Sequence, residues 1–265
     1  MSTPKTVFPF TRLYGTIEID HAGMVQGLKD LEADEAVRGI VPKKYLVWIH
    51  LIGTLLVDWD DPCSYRVGIV AQSPRRVDDP RYLTANLFVP IFPNEDPDKE
   101  RPCVYPDGPH SSSTPFPRGD CSHWTASEVW VAFKRVPEGL DNASAYRLPC
   151  EGMSLLRATY SKDYAHIRGV KAQQAAARRS SHPPLTEGPS PQVSETRPSR
   201  DGEGGTTLRA DSDAPPMKWA DDPYNDTFVP LAKLSLDIGW TSQAESLPDI
   251  YSFFEEREQI KRWDH

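Results

Sequence analysis

Cysteine is scarce here and spread thinly. The four residues Cys63, Cys103, Cys121 and Cys150 lie far apart, with no Cys-x-x-Cys pair among them. That removes the paired-thiol patterns of zinc ribbons and redox motifs, and the thiols are expected to be free in a reducing compartment. Long apolar runs are also missing. The longest, 45–57, is interrupted by His50, Gly53 and Thr54 and falls short of the roughly twenty residues a membrane helix needs. The sequence holds no Gly-x-Ser-x-Gly elbow, no Gly-rich phosphate loop, no dinucleotide fingerprint and no His-Glu-x-x-His pattern, so no nucleophile, nucleotide or metalloprotease signature is readable. The N-terminal stretch lacks the apolar core of a secretory signal, and the expected compartment is cytoplasmic or nuclear. In that compartment the sequons at Asn142 and Asn225 are chance matches. Net positive charge is lacking too. At a formal charge of -8, neither nucleic acid nor an anionic membrane is an expected partner.

What is present is unevenly distributed. The hydrophobic fraction is only 38%, but apolar residues concentrate in 1–165 and 228–265, so a polar segment dilutes an ordinary folded body. Residues 180–222 carry seven prolines and much Ser, Thr, Glu and Gly. Such a stretch buries too little apolar surface to offset its ordering entropy and is expected to be disordered. The expected organisation is a β-rich body over 1–168, a disordered linker over 169–226, and a C-terminal strand and helix over 227–265 that pack back on the body.

Period-two alternation predicts strands at 13–19, 45–57, 65–71, 83–91 and 233–240, with a short run apolar on both faces at 129–133. The second and third form a hairpin around the turn 58–64, and Pro90 points to an edge position or bulge. Residues 145–148 suit a return strand, while 153–160 fits strand or helix equally. Helical spacing of Met24, Leu28 and Leu31 after Asp20 predicts one helix over 21–38. Rising helix-former content suggests another over 161–178. A last one, over 249–263, has its acidic residues early and basic residues late, as the helix dipole prefers. Strands that arrive as hairpins argue against a doubly wound fold. The expected class is α+β or mainly β: a largely antiparallel sheet, sandwich-like, with a few peripheral helices and a long disordered insertion.

The stretch 93–120 is rich in Pro, Asp, Ser and Gly, and a loop of that length inside a folded body is either functional or disordered. In it and at its exit stand Cys103, His110, Cys121 and His123, the residue types of a tetrahedral zinc site. Their spacing matches no established finger or ribbon, so unrelated thiols and histidines are the plainer reading, with zinc as the candidate cofactor. Asp58, Asp60 and Asp61, with Asp78 and Asp79 in the next loop, could bind a divalent cation, although Asp is also a preferred turn residue. His50 in its apolar strand reads as a hydrogen-bonded face residue ahead of a base. Arg118-Gly-Asp120 copies an integrin-binding tripeptide by chance, and Arg168, Lys171, Arg178 and Arg179 make a thin basic patch of the kind a solvated helix shows. Aromatic residues near the long loop, Trp124, Trp130, Tyr105 and Phe116, are the candidate binding anchors if exposed, and core filling if not. The expected function is a non-catalytic interaction or scaffold protein with a macromolecular partner, most simply another protein. The alternative is a metal-dependent enzyme that uses His110, Cys121 and His123 or the Asp58–Asp61 turn.

Overall fold

The computed structural model describes residues 5–26, 28–53, 61–72, 87–96, 100–109, 114–180, 228–239, 246–248 and 250–263. The chain divides into two compact units, Met1–Lys171 with Thr227–His265, and Ala172–Asp226. Of the second, the described part is the last stretch of one helix. The predicted linker lies mostly outside the described residues, as do the Asp58, Asp60, Asp78 and Asp79 positions, His110 and Trp240.

In chain order the elements are β1 (Tyr14–Ile19), α1 (His21–Val25), α2 (Leu31–Arg38), β2 (Tyr45–Ile52), β3 (Cys63–Gln72), β4 (Phe88–Pro90), β5 (Cys121–Phe133), α3 (Cys150–Ser180), β6 (Leu231–Ser235) and α4 (Ile250–Lys261). Strand β1 pairs antiparallel with β2, β2 with β3, and β3 with β5; β5 pairs parallel with β6, and β6 returns antiparallel to β1. The five strands therefore close on themselves. The expected largely antiparallel sandwich is corrected to a mixed sheet forming a small barrel, with β4 added on β5 as an edge. The parallel pair follows from connectivity: the long segment from β5 to β6 contains α3, and a crossover of that length is what parallel neighbours need.

Alternation along the strands sends one set of side chains inward. Ile17, Ile19, Tyr45, Val47, Ile49, Tyr65, Val67, Ile69, Val129, Val131, Phe133 and Ala232 are all buried in one cluster that also takes in Ile250, Phe253 and Ile260 of α4. Small barrels are filled in this way. Each fully buried side chain of this kind contributes about 1.5–3 kcal/mol before entropy is counted. The opposite faces of β1, β2, β3 and β5 carry Tyr14, Leu46, Trp48, Val70 and Cys121, and α3 covers them with Leu156 and Tyr160. At Gly15, β1 and β6 approach so closely that a Cβ would sit 2.8 Å from the Ser235 carbonyl oxygen.

Several expected elements change shape. The helix over 21–38 is two helices: Asp20 caps α1 through the Gly23 amide, Asp30 caps α2 through Glu32 and Ala33, and Lys29 between them has φ of 54°. A second strong cap inside a periodic run starts a new helix. The ambiguous 153–160 segment and the helix over 161–178 are one helix, α3. Residues 145–148 make bridges only, from Arg147 to Leu13 and to Asp107. The strand expected over 233–240 spans Leu231–Ser235. The short run 129–133 is the end of the longest strand, β5, whose first half is polar yet buried.

Candidate functional site

That polar half of β5 is held by hydrogen bonds. Ser127 Oγ donates to the Ile69 carbonyl at 3.0 Å, Thr125 Oγ1 donates to Asp163 of α3, and Asn94 Nδ2 donates to Ser122 Oγ at 3.1 Å. Asp163 also pairs with Arg101 at 2.8 Å. His123 is 0% exposed, with Nε2 and the Tyr14 hydroxyl 2.8 Å apart. Burial without any charged neighbour pushes the His123 pKa down to about 3, so the ring is neutral at physiological pH. These groups fasten α3, Asn94 and Arg101 to the barrel.

Of the residues expected to hold zinc, Cys121 is fully buried and Cys103 partly so. Burial, reinforced by Asp120 and opposed by Arg118, lifts the Cys121 thiol to about 12. Burial and then Glu95 lift Cys103 to about 11, against the lowering effect of a backbone hydrogen bond from Phe92. Without a metal, neither thiol ionises at neutral pH. Among the described residues no three His, Cys, Asp or Glu side chains gather as a metal-holding group. Arg118 of the Arg-Gly-Asp tripeptide is 1% exposed and pairs with its own Asp120 at 3.2 Å, so the motif does not present itself.

The four candidate anchors divide. Trp124 and Phe116 are buried core rings, the latter edge-on to Tyr14 and Tyr146. Tyr105 is exposed and stacks on Phe92, ring centroids 5.1 Å apart. Trp130 is half-buried on β5 and lies over Gly53, where a Cβ would come within 2.2 Å of its ring. Among the described residues no ring contact brings Trp130 and Tyr105 together.

Around Trp130 the outer face of β2, β3 and β5 is organised by register. Leu51 stands opposite Arg66 and Arg66 opposite Trp130, forming one row across three strands. The next row is Trp48, Gly68 and Glu128. An irregularity at His50 inserts an extra residue between Ile49 and Leu51. Such a bulge locally twists the strand. Leu51 on this row is 47% exposed, while Ile52, opposite the inward-facing Tyr65, belongs to the other face of the sheet. The Glu128 carboxylate is almost wholly buried and is shared: Oε1 lies 2.6 Å from His50 Nδ1, and Oε2 lies 2.6 Å from Arg66 NH2. The His50 contact is close but lies outside hydrogen-bond geometry. The His50 ring stacks on Trp48 at 4.7 Å. Gly68, which has no side chain, leaves Trp48 and Glu128 side by side. The result is a fixed arginine flanked by apolar side chains on rigid strands.

Sequence reading had placed His50 on a strand face, but it singled out neither Arg66 nor Glu128. Their only signal is outward parity within apolar strands, and their meeting depends on the β3–β5 pairing. A second buried polar cluster joins α4 to the barrel: Tyr45 donates to Glu256 Oε2 at 2.6 Å, and His21 Nε2 lies 2.7 Å from Glu256 Oε1. Burial, then the bond to Glu256, keeps the Tyr45 phenol protonated far above its usual range. Among the described residues no helix is long and apolar enough to cross a membrane. No protein-family model, no curated protein and no solved structure matches the chain.

Proposed function

We propose that the chain is a non-catalytic interaction protein whose barrel presents the outer face of β2, β3 and β5 to a protein partner. The observation that supports this reading is the row of Leu51, Arg66 and Trp130: an exposed leucine and a half-buried tryptophan on either side of one arginine. Trp and Arg are the residue types that dominate interface energetics, and anchors carried on strands lose little entropy on binding. Clustering matters more than exposure, because scattered exposed apolar residues are normal.

The test is comparative capture. Full-length protein and its Leu51→Asp variant are used as baits, and recovered proteins are quantified. A partner held by the parent and lost from a variant that melts normally supports the reading. Identical recoveries would refute it.

A further inference from the structure

We infer that the C-terminal segment 228–263 can fill its seat in a second copy of this chain, so that two copies assemble as a strand-exchanged dimer. Strand β6 stands between β1 and β5 and is what closes the barrel. It pairs with β1 from Thr16–Ser235 to Ile19–Ala232, and with β5 at Ala132–Leu231 and Phe133–Ala232. The Asp20 amide donates to the Leu231 carbonyl at 2.8 Å, and the Ala132 amide donates to the Pro230 carbonyl at 2.9 Å. Phe228, Ala232, Leu236, Ile250, Phe253 and Ile260 of the segment are all buried in the barrel cluster. Helix α4 is fastened through Glu256, which reaches Tyr45 and His21. The strand and polar partners of the segment all precede α3 in the chain. The seat is separate from the Leu51–Arg66–Trp130 row, and exchange does not depend on that row binding anything.

On its own the segment has little to hold it in shape. A short unpaired strand is not stable in water, and a helix of 12 residues is marginal there. The segment therefore takes its form from the seat, as a peptide that folds on binding does. Its covalent connection adds nothing to the fit, because residues 181–227 intervene between α3 and the segment, and β6 pairs with β1 and β5 alone among the described strands. An exchanged dimer repeats every one of these contacts, and the two forms differ only in which copy tethers the segment. The cost of closing a tether rises slowly with its length, and a tethered segment meets its own seat at an effective concentration on the order of millimolar. The monomer therefore prevails in dilute solution, and exchange competes when chains fold together near that concentration. Leaving the seat means opening the buried Glu256 cluster and the barrel core, so a dimer once formed persists on dilution. Gly15 is the tightest point of the seat: a Cβ there would lie 2.8 Å from the Ser235 carbonyl oxygen and 3.2 Å from the Leu234 side chain, both in the segment. Gly15→Val should close the seat to β6 of either copy.

The test uses the full-length protein with a protease recognition sequence inserted between Ser199 and Arg200. It is unfolded in urea, refolded at about 1 mM or about 1 µM, diluted, and sized by sedimentation. The expected result is a dimer after the first refolding and at least about tenfold less of it after the second. Cleavage of the isolated dimer should give particles of one-chain mass that still contain the segment, since each cut frees a body from the copy whose segment it holds. Gly15→Val should give no such dimer. A dimer that survives complete cleavage is held by another surface and would overturn the inference. So would the absence of a dimer at the higher concentration, a Gly15→Val dimer as abundant as the parent's, or loss of the segment on cleavage, which would mean that the seat holds it only when tethered.

Discussion

Acid should destabilise this protein through His123 well before its carboxylates titrate. The folded state holds the ring neutral down to about pH 3, whereas a histidine free in the unfolded chain takes up a proton below about 6.5. A depressed folded pKa means that the unfolded state binds more protons in acid, so stability is complete above about 6.5 and is lost as pH falls toward 3. Between pH 7 and pH 4.5 about two pH units of that window are crossed, giving a loss of roughly 2–3 kcal/mol. Asp120 contributes little there. Burial tends to raise its pKa, but hydrogen bonds from Arg118 and Gln72 outweigh this and hold it below the ordinary carboxylate value. The assay is urea unfolding at pH 7, 5.5 and 4.5 on the parent and on His123→Gln, whose amide oxygen can still accept from Tyr14 but does not titrate. The other histidines are common to both proteins and cancel in the difference. The parent should lose roughly 2–3 kcal/mol more than the variant, or roughly 1 M in urea midpoint. Equal losses would refute the claim that His123 is buried and neutral.

The Tyr45, Glu256 and His21 cluster predicts that Glu256→Ala costs about 3–5 kcal/mol, because two buried partners are left without their carboxylate. Tyr45→Phe should cost about 1.5–3 kcal/mol, and a double-mutant cycle by urea unfolding should show coupling; additive losses would count against the shared carboxylate. Gly15→Ala forces β1 and β6 apart and should cost about 1–3 kcal/mol, with amide exchange quickened selectively in β6; uniform exchange would contradict the close approach. Iodoacetamide at neutral pH should modify the exposed Cys150 before the other thiols and Cys121 last, as read by peptide mass mapping, and early labelling of Cys121 would contradict its burial.

What was legible in the sequence was local. Leu13–Ile19 and Tyr65–Ala71 alternate with a clean period of two, and both segments are strands. The hairpin of β2 and β3 followed from two such runs separated by a turn. Less visible was β5, because Ser122, His123, Thr125 and Ser127 are polar residues at fully buried positions, and period-two reading assumes that polar residues face water. Each needed a partner far along the chain, such as Ile69 or Asp163, which local pattern does not show. The same limit hid the closure of the sheet. Antiparallel hairpins can be inferred from neighbouring runs, but the parallel pairing of β5 with β6 depends on a crossover through α3 that no window of ten residues contains.

The candidate face follows from the same pairing. Arg66 and Glu128 are 62 positions apart and meet because β3 lies against β5 with Arg66 beside Trp130 and Gly68 beside Glu128. A shift of β5 by one residue against β3 would turn Val129 outward and Glu128 into the barrel, burying a charge in a cluster otherwise made of Ile, Val, Tyr and Phe. The inward valines therefore fix the register, and the register places the arginine and the tryptophan in one row. Buried polar groups of β5, from Ser122 to Ser127, find partners inside the molecule and so hold structure. Beyond the cover of α3 the pattern reverses: Leu51 remains at the surface beside Arg66, whose one ion pair among the described residues is with Glu128. A half-exposed leucine there adds little to folding, and that is the physical ground on which the proposed binding face rests.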